Sequence, residues 1–203
     1  TADMHLAAMR TVRPGLRESD VAAAVAEAAF KHNYQLSFPI IATINGQTLH
    51  NHDHSHLIKS GDMVLLDAGA ETEMGYAGDM SSTMPADRKF TQRQRDVYDI
   101  QVAAHEAAVA DLRPGVNFVD VYEHSCAIIM QGMKDLGFAK GDPMEAVKAG
   151  AHAMFMPCGL GHMMGLDVHD MENLGEVYVG YNGKPKSTQF GRKSLRLGRE
   201  LEP

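Results

Sequence analysis

The chain has 203 residues, enough for one or two domains of about 150 residues each. Hydrophobic residues make up 44% and charged residues 22%, a globular balance that excludes a disordered or collagen-like chain. Nineteen Lys and Arg against 26 Asp and Glu leave a formal charge of −7, which argues against nucleic acid and anionic lipid as partners. No apolar run approaches the roughly 18 residues of a membrane span. The N-terminal stretch TADMHLAAMR lacks the basic and then apolar pattern of a secretory signal. Two cysteines, Cys126 and Cys158, cannot build a disulfide framework, which fits a reducing cytoplasm. Eleven His and 14 Met stand beside the absence of Trp, and so many histidines prompt a search for clusters.

In chain order, residues 4–12 read as a helix end stopped by Pro14-Gly15. Ser19 or Asp20 caps a second, Ala-rich helix running to about His32. Residues 38–49 are β-branched and apolar, with Asn45-Gly46 as a turn signal. Two further strands are expected over 63–70 and 75–84, joined by an acidic turn near Glu71. Thr91 caps a long helix that ends before Pro114-Gly115, and 116–136 is another helix stopped at Gly137. A short helix follows Pro143, and 155–169 reads as a Gly-interrupted strand. Residues 180–194 are polar and Gly-rich, and are expected as loop.

One internal repeat is visible. RPGLRESDV at 13–21 and RPGVNFVDV at 113–121 share R-P-G, then D-V, at the same spacing. Pro-Gly is a common helix stop, so shared stop chemistry explains the match. A duplicated βαα-type half, giving a pseudo-two-fold fold, is the other reading and the favoured one. No linker or low-complexity segment divides the chain.

Several side chains could carry chemistry. Asp67 ends the apolar run 63–66, and Asp79 lies in the next expected strand. Each alone could cap a turn, but a strand Asp among apolar neighbours is expensive to bury unless paired or metal-bound. Two of them on adjacent strands would repel unless a cation sat between them. The stretch 159–170 adds His162 and His169 with three glycines, and glycine lets backbone approach a ligand or strand closely. Imidazole with carboxylates makes a mixed nitrogen and oxygen site suited to manganese, cobalt, zinc or iron. His50, His52, His54 and His56 alternate and would share one face of a strand. The segment runs into a turn, so a polar connection with at most one working His is expected instead. Cys158 lies near both His162 and His169 in sequence, but between Pro157 and Gly159 it reads as a small buried residue.

These residues resemble the pita-bread metallopeptidases, in the branch of Xaa-Pro aminopeptidase (aminopeptidase P) and prolidase. The resemblance rests on LLDAGAETEMGYAGDMSSTMP at 65–85, KFTQRQRDVYDIQ at 89–101, the second RPG with its helix, and FMPCGLGHMMGLDVHD at 155–170. It implies an α+β pita-bread (creatinase/aminopeptidase) fold with a pseudo-two-fold repeat. It assigns Asp67, Asp79 and His162 as metal ligands for two divalent ions, usually manganese, with cobalt, zinc or iron as alternatives. His50 and His169 match histidines that contact substrate and polarise the peptide carbonyl, and Cys158 stands where many members place another substrate-side His. The implied reaction is hydrolysis of the bond between an N-terminal residue and proline in peptide substrates. The implied setting is a cytoplasmic homodimer or larger assembly, with no nucleic-acid or membrane partner.

This sequence departs from the family pattern in places. Twelve residues separate Asp67 from Asp79, one more than the common spacing, so a bulged turn near Glu73 is expected. Neither of the family's two glutamate ligands has a counterpart, and Glu202-Pro203 resembles the segment that precedes the first. The expectation is therefore a catalytic domain over 1–203 truncated at both ends, lacking its C-terminal strands, with weakened metal binding and no activity of its own. Alternatives are a prolidase acting on dipeptides, a non-catalytic pita-bread binding module, and a metal-free hydrolase of the creatinase type.

Overall fold

Alanine-rich stretches open the chain as helices. In the computed structural model, which describes residues 1–203, Ala2–Thr11 forms α1 and Glu18–Phe30 forms α2. The second helix starts earlier than a Ser19 or Asp20 cap implies. Arg17 takes the cap position, and its backbone N–H donates to Asp20 Oδ2 at 2.7 Å, satisfying a donor that the helix end would leave open. Val21, Val25 and Ala29 recur at a four-residue spacing and are buried, the apolar stripe of an amphipathic helix.

The stripe packs on a small antiparallel sheet. Gln35–Leu36 (β1) pairs with Ala70–Glu71 (β4), while Ile41–Thr43 (β2), Met63–Ala68 (β3) and Met80–Pro85 (β5) form a three-stranded sheet in the order β2-β3-β5. Along β3, Val64, Leu66 and Ala68 are buried and join Met4, Ala8, Val21 and Val25 in one core. The alternate residues, Asp67 among them, face the other way. Residues Thr1–Thr91 with Met164–Val168 make up this first compact unit.

Two strand expectations change here. Of 38–49 only Ile41–Thr43 pairs, because the chain turns at Asn45-Gly46, where Thr48 N–H donates to Asn45 O. The strand expected over 75–84 starts at Met80, which puts Asp79 on the residue just before it. A turn between Thr72 and Tyr76, with Glu73 and Met74 at its tip, absorbs the residues between β4 and β5. Backbones touch beside it: a Cβ on Gly69 would lie 1.7 Å from Gly78 O. Only glycine permits that approach.

The second unit comprises Gln92–Met163 and His169–Pro203. It is helical, with α3 (Gln92–Asp111), α4 (Phe118–Asp135), α5 (Pro143–Lys148) and α6 (Glu176–Tyr181), plus three short 3₁₀ turns. Asn117 caps α4 by accepting from Val119 N–H at 2.9 Å, and Asp142 caps α5 by accepting from Glu145 N–H at 2.9 Å. Phe118, Tyr122, Cys126 and Met130 form the buried stripe of α4. Tyr122 and His152, both fully buried, share a hydrogen bond of 2.9 Å. The strand expected over 155–169 is absent. The chain there is irregular after the 3₁₀ turn Ala151–Met154. Its glycines serve close approach rather than a ladder: a Cβ on Gly159 would meet Ser194 O at 2.7 Å.

The repeat is structural. In the first unit Gly15 N–H donates to Ile58 O, Ile58 N–H to Leu16 O, and Glu18 N–H to His56 O. In the second, Gly115 N–H donates to Leu201 O, Leu201 N–H to Val116 O, and Phe118 N–H to Arg199 O. Isolated β-bridges join Arg17 to Leu57 and Asn117 to Glu200. Each unit thus uses the same device, a helix, a Pro-Gly turn, a returning strand-like segment and a second helix. No helix is long and apolar enough to cross a membrane.

Candidate metal centre and substrate-facing histidines

Asp67 sits on the central strand, opposite Ile41 on one side and Ser81 on the other. The alternation that buries Leu66 and Ala68 turns Asp67 to the opposite face. Oδ1 of Asp67 is buried and has no hydrogen-bond partner. Burial and then the charge of Asp79 push the Asp67 carboxyl up to about 6, against the pull of the Ser81 hydrogen bond. A hydrogen bond with Asp79 pushes it up further, and the charge of His50 lowers it. Two carboxylates close enough to couple cannot both ionise cheaply, so below about pH 6 one proton is held between them.

A cation would replace that proton. The orphaned, buried Oδ1 and the like-charged neighbour fit a hard divalent ion, because both costs vanish once positive charge arrives. Donor chemistry agrees, since carboxylate oxygen suits manganese and its neighbours in the series. Asp67 and Asp79 are therefore the residues of the first unit that would hold it.

His50 stands in the same unit, exposed, in the connection after β2, with a φ of 53°. Its neighbours in the alternating tract have structural partners. His54 Nε2 bonds Ile40 O at 3.0 Å, and His56 Nδ1 bonds Glu18 Oε2 at 2.9 Å. The tract is a polar connection and not a four-histidine face, because residues 44–56 form turns and loop in place of a strand.

In the second unit His162 and His169 are brought together. Their rings meet edge to face with centroids 4.4 Å apart. His162 Nδ1 lies 2.9 Å from Met163 O. A donor at Nδ1 leaves the lone pair on Nε2, the tautomer a metal-ligating histidine uses. Cys158 is half-buried, and burial pushes its thiol up. A thiol held neutral in this way is a poor nucleophile, which fits the small packed residue. The chain gathers no group of three or more His, Cys, Asp and Glu side chains into a metal cage; the pairs Asp67 with Asp79 and His162 with His169 are what it assembles.

One residue escaped sequence reasoning. Glu18, the first residue of α2, is fully buried and accepts from Thr43, Ile44 and His56. Its signal lay in the repeat, where the matching position carries Phe118. A charged and an aromatic residue at equivalent places invite the question of what the charge is for.

The model of metallopeptidase family M24 matches residues 1–193. The chain belongs to this family. Its curated M24 relatives include the Xaa-Pro aminopeptidase of Escherichia coli (strain K12), 37% identical over 181 residues, which cover 87% of this chain and 40% of that protein. The Xaa-Pro aminopeptidase of Haemophilus influenzae is 35% identical over 87% of this chain and 41% of its own length. Among solved structures, zinc-substituted E. coli aminopeptidase P in complex with product superposes with a TM-score of 0.85 at 35% identity, covering 100% of this chain and 42% of that one. Proline aminopeptidase P II from Yersinia pestis gives 0.83 at 34% identity, over 98% of this chain and 42% of its own. The fold is therefore that of the pita-bread M24 enzymes. The chain spans about two fifths of the length of these relatives.

Proposed function

We propose that the protein carrying this chain is an Xaa-Pro aminopeptidase, cleaving the bond between an N-terminal residue and a following proline. The observation that carries the reading is the coupled pair Asp67 and Asp79, with a buried, unpartnered carboxylate oxygen on the central strand. In this reading Asp67, Asp79 and His162 are metal ligands, with manganese the expected ion. Divalent ions bound there supply Lewis acidity and lower the pKa of a water. The exposed ring of His50 binds the peptide, and His169 orients its carbonyl; Cys158 lines the substrate side as a neutral thiol. The names of the relatives, all Xaa-Pro aminopeptidases, favour this reading over a dipeptidase, and the intact Asp pair disfavours a metal-free hydrolase. Two unpaired cysteines suit a reducing cytoplasm.

The test is Asp79→Ala in the complete protein. Cleavage of an Xaa-Pro peptide in the presence of manganese is expected to fall by at least about a thousandfold, as loss of a direct ligand to a catalytic ion implies. Metal content, measured in parallel, is expected to drop below the two equivalents of the wild type. Retained activity with retained metal would sink the ligand assignment.

A further inference from the structure

Glu18 begins α2 with its carboxylate completely buried. A lone ionised carboxylate in such a place is prohibitively expensive, yet this one is fully engaged. Oε1 accepts from Ile44 N–H at 2.7 Å and Thr43 Oγ1 at 3.0 Å. Oε2 accepts from His56 Nδ1 at 2.9 Å and His56 N–H at 3.2 Å. Burial alone would raise its pKa, but the hydrogen bonds from Ile44, His56 and Thr43 outweigh burial and hold it below the ordinary carboxylate value.

The fold itself does not require a charge there. Phe118 holds the same backbone position in the second unit, donates the same backbone bond, and is buried among apolar residues. What an aromatic ring lacks is a grip on the chain ahead of it. Glu18 takes hold of the connection between β2 and β3 at both ends, Thr43 and Ile44 on one side and His56 on the other. Further ties run along the same stretch. Ser19 N–H donates to His54 O, the Arg17 guanidinium to Ser55 O, and Asn51 Nδ2 to Thr43 Oγ1. Between the two anchored ends stands His50, exposed and with a φ of 53°.

We propose that Glu18 is a positioning residue: by pinning residues 43–44 and 56 to one buried carboxylate it fixes the loop that carries His50. This rests on the reading of His50 as a substrate-facing residue. The acidic groups facing His56 are Glu18 and Asp53, both of which raise its pKa, so its titration reports on the anchor.

Hydrogen exchange is measured on the full chain for the wild type, Glu18→Gln and His56→Gln, together with the ring NMR signals of His50. Glutamine keeps the shape but turns an N–H₂ toward donors, and His56→Gln leaves Glu18 buried while removing the imidazole partner at the loop side and keeping the backbone N–H of residue 56. Both variants are expected to lose protection over residues 44–56 by roughly tenfold to a hundredfold, the worth of a hydrogen bond to a charged group. The His50 signals shift in both, and in Glu18→Gln the His56 titration falls back toward about 6.5. Helices α1 and α2 keep their protection in His56→Gln, which serves even if Glu18→Gln folds poorly. Unchanged protection over 44–56 with unmoved His50 signals overturns the proposal. So does loss spread evenly over the whole first unit in both variants, which marks a plain structural role. Activity of His50→Ala tests the underlying functional reading separately: full activity there, with a loosened loop in Glu18→Gln, leaves the anchor standing and removes the catalytic role of His50.

Discussion

Asp67 carries opposite consequences with and without metal. Its carboxyl is pushed up to about 6 in the folded chain, from an ordinary value of 3.8. Between those two pH values the folded chain holds a proton that the unfolded chain has released, so stability falls as pH rises through that window. Above it, ionised Asp67 works against folding until a cation arrives. Asp67→Asn is therefore expected to stabilise the metal-free chain at pH 7 by about 1 kcal/mol or more, roughly 2–4 °C in Tm. The gain disappears below about pH 4, where both forms are neutral in both states. Manganese is expected to raise the Tm of the wild type and leave Asp67→Asn nearly unmoved; thermal melts at the two pH values, with and without metal, check both. At this scale much was legible. Asp67 and Asp79 stood out because carboxylates in apolar strands are rare unless used. Glu18 did not, because a Glu at the start of a helix is ordinary, and its burial depends on a loop that closes over it from nearly forty residues away in sequence.

Strands and turns were harder to read than helices. The long helices α3 and α4 carry their signals locally, in Pro-Gly stops and in capping residues such as Asn117. The stretch around Gly159, Gly161 and Gly165 looks strand-like in composition, but strand formation depends on a neighbouring ladder, which local pattern cannot supply. Gly69 and Gly78 belong to the same lesson. One lies two residues after Asp67 and the other directly before Asp79, and their backbones meet where no Cβ fits. That contact holds the turn-bearing chain against the end of β3 and sets the approach of the two carboxylates. Gly69→Ala is expected to cost about 3 kcal/mol or more in urea unfolding and to lower the Asp67 carboxyl toward its ordinary range, as carboxylate NMR titration would record.

Across the whole molecule, five shared residues within a nine-residue span hinted at a duplication that the backbone bonds of Gly15 and Gly115 make concrete. Both glycines have positive φ, 92° and 85°, and a Cβ on Gly15 would meet nothing within 4 Å. Replacing either by alanine therefore adds backbone strain without a clash. Gly15→Ala and Gly115→Ala are each expected to lose about 1–2 kcal/mol, in near-equal measure, by denaturant titration. The two copies differ in what they enclose. The bridge from Arg17 reaches Leu57, across roughly 40 residues, whereas the bridge from Asn117 reaches Glu200, across about twice as many. Doubling a loop adds only about 0.6 kcal/mol of closure entropy, so the longer excursion is thermodynamically mild. Its weight falls on timing. During synthesis the first ring can shut once residue 57 has left the ribosome, while the second waits for residue 200. The half that presents the carboxylate pair is thus free to fold while its sister is still an open chain.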